Sequence, residues 1–429
     1  MQLKNKKRIK GALTSAACTL LGTQSALAMD NQADREHGWK IDAAVLSYSE
    51  ADRVDANEVN VRAQKTFEDE SKLNLNIVMD TLTGASPNGA APSDQTQTFT
   101  RPSGNGSYDI QAGEIPLDDT FRDTRAQIGV AWEAPINRLM RYRIGTNISS
   151  EFDYESISVN GGLSRDFNKK NTTLSLGGSF ASDTLNPKGD IPIAKASMAP
   201  ATTTQPREGT SESKQVTDLV FGITQIINAR TLMQFNIGIS QSDGYLNDPF
   251  KIVSVVDTNG RPVDYIYESR PDSRTKTSFY WDTKHHFSWE DTIDIAYRYM
   301  ADDWGITSHT VDLHYRWNIT DQWYTEPHLR YYQQSGADFY RHSVSDGEAV
   351  VTNDEDLSAD YRLADFDATT LGLKVAYRMA NDSELNMRLE SYQQMGDTQP
   401  SDAIGVQKNY DMFPDLDAII LQVGYTFKF

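Results

Sequence analysis

The sequence predicts an all-β protein: a single transmembrane, antiparallel, up-and-down β-barrel of about sixteen strands, exported to the outer membrane of a Gram-negative cell. Three observations predict it. Apolar and polar residues alternate with a period of two along most of the chain. Short and long links alternate between those runs. The last strand, Ile419 to Phe429, ends on an aromatic residue.

The N-terminus reads as an address. Lys4, Lys6, Lys7, Arg8 and Lys10 form a basic segment, Gly11 to Gly22 a short apolar one, and Ala26-Leu27-Ala28 a small-x-small cleavage site. A signal peptide is therefore expected at 1–28, with 29–429 as the exported barrel. The only cysteine, Cys18, lies inside the leader, which leaves the mature chain without thiol chemistry.

Of the 41 Lys and Arg the leader takes five, leaving 36 against 60 Asp and Glu, a net charge of −24. So acidic a surface repels phosphate backbones, which excludes nucleic acid as a partner. No apolar run reaches 18 residues, so no transmembrane helix is expected. An exported chain with 20 Tyr, 16 Phe, 7 Trp and low mean hydropathy suits a barrel around a wet lumen.

Sixteen candidate strands follow from the alternation, near 39–49, 58–67, 72–79, 125–134, 141–149, 155–167, 172–181, 216–227, 231–241, 275–287, 292–300, 307–319, 323–334, 368–379, 384–394 and 417–429. Most match the roughly 9–11 residues that a tilted strand needs to cross hydrocarbon. Even-numbered strands are followed by short links such as 168–171 and 380–383. Odd-numbered ones often lead into long loops: 80–124, 182–215, 242–274, 335–367 and 395–416. That asymmetry puts short turns and both termini in the periplasm, and the long loops outside. Pro327 interrupts its strand, so a bulge or a later strand start is expected there. Loop 80–124, rich in Pro and Gly, is the candidate for an inward-folded plug or constriction, and Asp257-Thr258-Asn259-Gly260 reads as a tight hairpin turn inside a loop.

In the last strand Leu421, Val423, Tyr425, Phe427 and Phe429 face lipid, and Gln422, Gly424, Thr426 and Lys428 the lumen. With Gly424, Tyr425, Phe427 and Phe429 so spaced, the strand resembles the β-signal of outer-membrane proteins. That resemblance implies contact with the barrel-assembly machinery. Thr83-Gly84-Ala85-Ser86-Pro87-Asn88-Gly89, Thr98-Phe99-Thr100-Arg101-Pro102-Ser103-Gly104 and Ser240-Gln241-Ser242-Asp243-Gly244-Tyr245 resemble an uncharacterised proteobacterial family, a domain of unknown function predicted to form outer-membrane barrels. So do Tyr267 to Arg274 and Tyr299-Met300-Ala301-Asp302-Asp303-Trp304-Gly305. The resemblance runs the length of the mature chain. It implies fold and location, and carries over no activity and no functional residue.

Six of the seven histidines lie between 285 and 342. Parity puts His314 and His328 on the lumen wall among Asp294, Arg298, Asp312, Arg316, Glu326 and Arg330. A metal or proton-handling site and an ion-paired wall both fit these residue types. With no His-x-x-x-His, no Glu-x-x-His and no paired cysteine, the spacing favours the ion-paired wall, and no metal is assigned. Asp302, Asp303 and His309 lie at the barrel mouth, Asp338 and His342 open a loop, and Asp354, Glu355, Asp356 and Asp360 form an acidic run. Those oxygens suit Ca²⁺ weakly, and no EF-hand pattern is present. Nor is there a Gly-x-Ser-x-Gly or a phosphate-cradling loop, so no enzyme is expected. A channel or selective porin-like pore with a charged lumen leads. A barrel that sheathes or docks a periplasmic or envelope partner is the alternative, and a barrel enzyme comes third. Lipid and lipopolysaccharide are the expected surroundings.

Overall fold

A computed structural model describes residues 38–429 apart from Asp52. The signal peptide expected at 1–28, with Cys18 and the cleavage point after Ala28, lies outside the described residues.

Sixteen strands form one closed sheet. They are β1 Trp39–Glu50, β2 Val54–Thr66, β3 Lys72–Pro87, β4 Leu117–Asn137, β5 Met140–Ser150, β6 Tyr154–Phe167, β7 Thr172–Leu185 and β8 Glu212–Asn228. There follow β9 Thr231–Gly244, β10 Ser273–His286, β11 Thr292–Asp302, β12 Thr307–Asn318, β13 Trp323–Gln334, β14 Phe366–Arg378, β15 Glu384–Gly396 and β16 Leu416–Lys428. Each pairs antiparallel with the next, and β1 pairs with β16 to close the ring. The ring's last rung joins Trp39 and Phe429, whose backbones exchange bonds of 2.6 and 2.9 Å.

Alternation sorts the side chains. Ile128, Val130, Ile237, Ile239, Leu371 and Leu373 stand exposed on the outer face. So large an apolar exterior needs a non-aqueous surrounding, which lipid supplies. Among the described residues no helix is long and apolar enough to cross a membrane; strands do the crossing. Near the short-turn end aromatic residues gather on the wall. Phe287 stacks on Trp289 at 4.6 Å, Trp323 meets Tyr377 at 4.8 Å, and Phe427 stacks on Phe429 at 5.9 Å. Such residues sit where headgroups meet hydrocarbon.

Three of the short turns share one geometry. In Phe67–Ser71, Phe287–Asp291 and Met379–Ser383 the first N–H donates to the fifth carbonyl. The fourth residue takes a left-handed φ: 62° at Glu70, 73° at Glu290 and 60° at Asp382. Glycine usually fills that position.

At the other end the strands run further than alternation indicates. β3 reaches Pro87 and β4 starts at Leu117, so the expected loop 80–124 shrinks to 88–116. The outward residues there, Thr81, Thr83 and Thr124, are polar, so the ladder continues where the apolar signal has stopped. Pro327 causes neither the expected bulge nor a later start. β13 begins at Trp323, and the register that pairs His314 with His328 resumes unchanged at Trp317 and Thr325. Only the two rungs beside the missing N–H are lost.

The long loops interlock into a cap. Its hub is loop 245–272, where Ile252–Val256 and Pro262–Tyr267 pair across a turn at Asp257–Arg261. The tight hairpin turn read from the sequence is that turn, with Gly260 at φ 78°. Val255 adds Val344 of loop 335–365 as a third strand. The other long loops bond to the hub as well: Asn88 O accepts from Ile252, Tyr265 O from Met198, and Asn259 O from Val406, at 2.9, 2.7 and 2.8 Å. Val253, Ile266, Val344 and Leu357 form its apolar core. The loop expected as a plug is thus one of four partners of a hub that arises between β9 and β10.

Buried charges bolt the hub to loop 335–365. Arg270 binds Glu268 and Asp360, each at 2.7 Å, and Arg362 binds Asp360 and Asp248. Burial alone would push the Asp360 carboxyl up, but Arg362, Lys251 and Arg270 outweigh it and hold it well below the usual range. Burial pushes Glu268 up despite Arg270. Asp360→Asn leaves buried guanidinium charge uncompensated and is expected to weaken the cap by about 3–5 kcal/mol. Limited proteolysis should then cut within 335–365 while the barrel keeps its heat-modifiable mobility; loops as resistant as the wild type's would refute the bolt. Since the fold favours the charged form of Asp360, its contribution is intact above the ordinary aspartate range, about 4, and declines as pH falls below it. Loop protection measured by hydrogen exchange should follow that course.

Candidate functional site in the barrel lumen

The lumen has two unlike walls. On β6 to β10 one inward row reads Gly162, Gly177, Val220, Gly238, Ser278 in consecutive register. A Cβ at Gly162 or Gly177 would meet only atoms of neighbouring strands within 4 Å, so space stands open before this wall.

Further round the ring, one row on β10 to β15 reads Lys284, Asp294, His314, His328, Gly372, Glu390. Lys284 binds Asp294 at 2.7 Å. The rings of His314 and His328 stack with centroids 4.1 Å apart and planes 5° from parallel. Both turn Nε2 toward Asp312 Oδ1, at 2.9 and 3.4 Å. Their Nδ1 atoms face carboxylates on the other side: Glu326 lies 3.6 Å from His314, and Glu390 lies 2.8 Å from His328. Arg316 pairs with Glu326 at 2.9 Å. Below them Tyr324 donates to Glu384 at 2.7 Å, with the Arg316, Lys374 and Arg378 cations over its ring.

Of the eight lumen candidates read from the sequence, Asp312, His314, Arg316, Glu326 and His328 therefore converge. Asp294 is neutralised by Lys284 instead. Arg298 lies over the Tyr280 ring at 5.5 Å, apart from the cluster. Arg330 is the register partner of Asp312, and no ion pair is recorded for it among the described residues. Alternation missed Glu390, which lies 62 residues from His328 and two strands away. Gly372 brings the two together. It sits between them in register, and a Cβ there would stand 2.8 Å from Glu390 Oε1 and 2.9 Å from its Cγ. A glycine inside a strand marks such close approaches, and that was the available signal.

The outer-loop acids are engaged elsewhere. Asp360 takes two arginines, Asp302 takes Arg274 and caps Trp304, and Glu355 accepts from Asn353.

An apolar exterior, aromatic residues near its short-turn end, a ladder with no free edge and a charged interior define a membrane-spanning β-barrel. The family described as "Protein of unknown function (DUF3570)" matches residues 10–427, and the chain belongs to it. No curated protein matches. Among solved structures the chain is similar to the outer membrane protein OpdK from Pseudomonas aeruginosa, at 9% identity over 91% of this chain and 99% of that one, TM-score 0.40. It is also similar to the CymD monoaromatic hydrocarbon channel (9%, 92% and 89%, TM-score 0.41) and to a bacterial polysaccharide outer membrane secretin (8%, 92% and 99%, TM-score 0.45). At those values the barrel assignment rests on this chain's own ladder.

Gly372→Ala should drive Glu390 off His328. A crystal structure of the variant is expected to show the 2.8 Å contact opened, and urea unfolding a loss of about 1–2 kcal/mol, since water reaches the pair from the lumen. An unmoved Glu390 would contradict the spacing argument.

Proposed function

We propose that the protein is an outer-membrane channel for small hydrophilic solutes, with short turns in the periplasm and the loop cap outside. One observation carries the reading: the open space before the small-residue wall, in a barrel whose sixteen strands enclose an aqueous bore. The charged wall next to it sets the field through which a solute passes. The hub lies over the mouth, so traffic goes around or through the cap. The terminal strand, with Gly424, Tyr425, Phe427 and Phe429, serves insertion by the assembly machinery.

Planar-bilayer recording tests this. The wild type is expected to conduct, and replacing 252–267 by a Gly-Ser linker to raise the single-channel current. Gly177→Trp, which projects an indole into the bore, should lower it several-fold. Gly161→Trp, one residue from Gly162 and on the lipid side, should leave it unchanged. Absence of current from both the wild type and the trimmed variant, in preparations that show heat-modifiable folding, would end the channel reading.

A further inference from the structure

We propose that His314, His328 and Asp312 bind a divalent transition-metal ion, with zinc as the best fit, on the lumen wall. Two imidazole Nε2 atoms and one carboxylate oxygen converge on a single point. Their separations of 2.9 and 3.4 Å from the shared Asp312 oxygen bracket the roughly 3.3 Å between donors around a tetrahedral ion with bonds of about 2.0–2.1 Å. Nitrogen with one hard oxygen is a borderline donor set, which suits zinc and its neighbours and discriminates against calcium and magnesium.

Two independent observations point to a ligand rather than to a bare ion-paired wall. The His328 side chain is nine-tenths buried, and its Nε2 atom, aimed at the site, makes no well-formed hydrogen bond: Asp312 Oδ1 stands 3.4 Å away. A buried imidazole nitrogen is seldom left so, because an unmet polar atom costs about 1–3 kcal/mol. The second observation lies behind the rings. Glu390 accepts from His328 Nδ1 at 2.8 Å, and Glu326 faces His314 Nδ1 at 3.6 Å. The Glu390 carboxylate on the far nitrogen of His328 fixes the tautomer that leaves its Nε2 free to ligate, and it makes that imidazole a stronger donor. Gly372 has the same consequence, because a Cβ there would stand 2.8 Å from Glu390 Oε1 and keep the carboxylate from crossing β14.

Arg330 stands beside the site as the register partner of Asp312, while two other charged neighbours are engaged elsewhere. Asp294 is taken by Lys284, and Arg316 is held on Glu326. Three protein donors leave a coordination position facing the lumen, open to water or to a solute's own donor atom. The inference goes beyond the channel reading and stands or falls separately, since binding is measured without any current.

The experiment uses the tag-free, detergent-folded mature chain, stripped with chelator and then dialysed against zinc chloride. Elemental analysis is expected to give one zinc per chain, and Co²⁺ in its place a visible absorption of tetrahedral type. His314→Ala and His328→Ala should each abolish the bound ion. Glu390→Gln should weaken it about 10–100-fold while every ligand stays in place. Heat-modifiable mobility reports that each variant is still folded. No bound zinc in the wild type would overturn the proposal. So would stoichiometry that survives both histidine variants, which would put the ion on the acidic loops.

Discussion

Everything in this molecule depends on the absence of water within a bilayer. Each backbone N–H and C=O of a crossing strand must find a partner in the sheet, because hydrocarbon offers none and each unmet group costs several kcal/mol. An open sheet has two edges that break this rule. Closure of β1 on β16 removes both, down to the mutual bonds of Trp39 and Phe429. The terminal Phe is thus a ring-closing residue as well as a lipid-facing one. Once the ring is closed, the two-residue period assigns every side chain to lipid or lumen, and a one-residue slip at any seam would invert the wall.

Beyond the hydrocarbon the constraint relaxes, and other forces take over. Strands β3, β4, β7 and β8 overrun the apolar band and hand their loops to a common cap. There the Val253, Ile266, Val344 and Leu357 core resembles that of a small soluble domain. Its buried arginines and carboxylates add geometric selectivity more than net stability, because desolvating such ions costs about as much as their attraction returns. Five loops leaving from around a ring can meet in many ways. Arg362 on Asp248 and Arg270 on Asp360, each reaching from one loop to another, accept few of them.

What was legible in the sequence tracks these two regimes. Sixteen strands, their alternation and the links between them could be read because lipid imposes one simple code on the outer face. The overrun of β3 could not, since Thr81 and Thr83 carry no apolar signal above the bilayer. Pro327 misled for a related reason: proline forbids one donor, and a closed sheet tolerates two lost rungs without shifting register. The lumen site was half legible. His314 and His328 lie 14 residues apart on adjacent strands, and parity alone put them on one face. Glu390 needed the register of four strands, and Gly372 needed its neighbour's reach. The hub was invisible, because which loop crosses a mouth depends on packing among segments remote in sequence.

The contrast between wall and cap bears on where specificity resides. A loop site forms its geometry at the expense of ordering the chain, whereas a barrel wall is already ordered by its ladder. Directly opposed residues on antiparallel strands hold their Cβ atoms about 4.5–5.5 Å apart whatever they bind. Two histidines so placed stack before any ligand arrives, as the 4.1 Å ring separation shows. A carboxylate two rungs away, on the same face, then completes a donor set whose shape the sheet dictates. Water reaches that row from the lumen, so its charges act in an intermediate dielectric, where a pair at 4 Å is worth about 4 kcal/mol before desolvation. That is enough to hold the side chains in place. The charged row and the small-residue row are thus both set by the ladder itself, before any ligand is present.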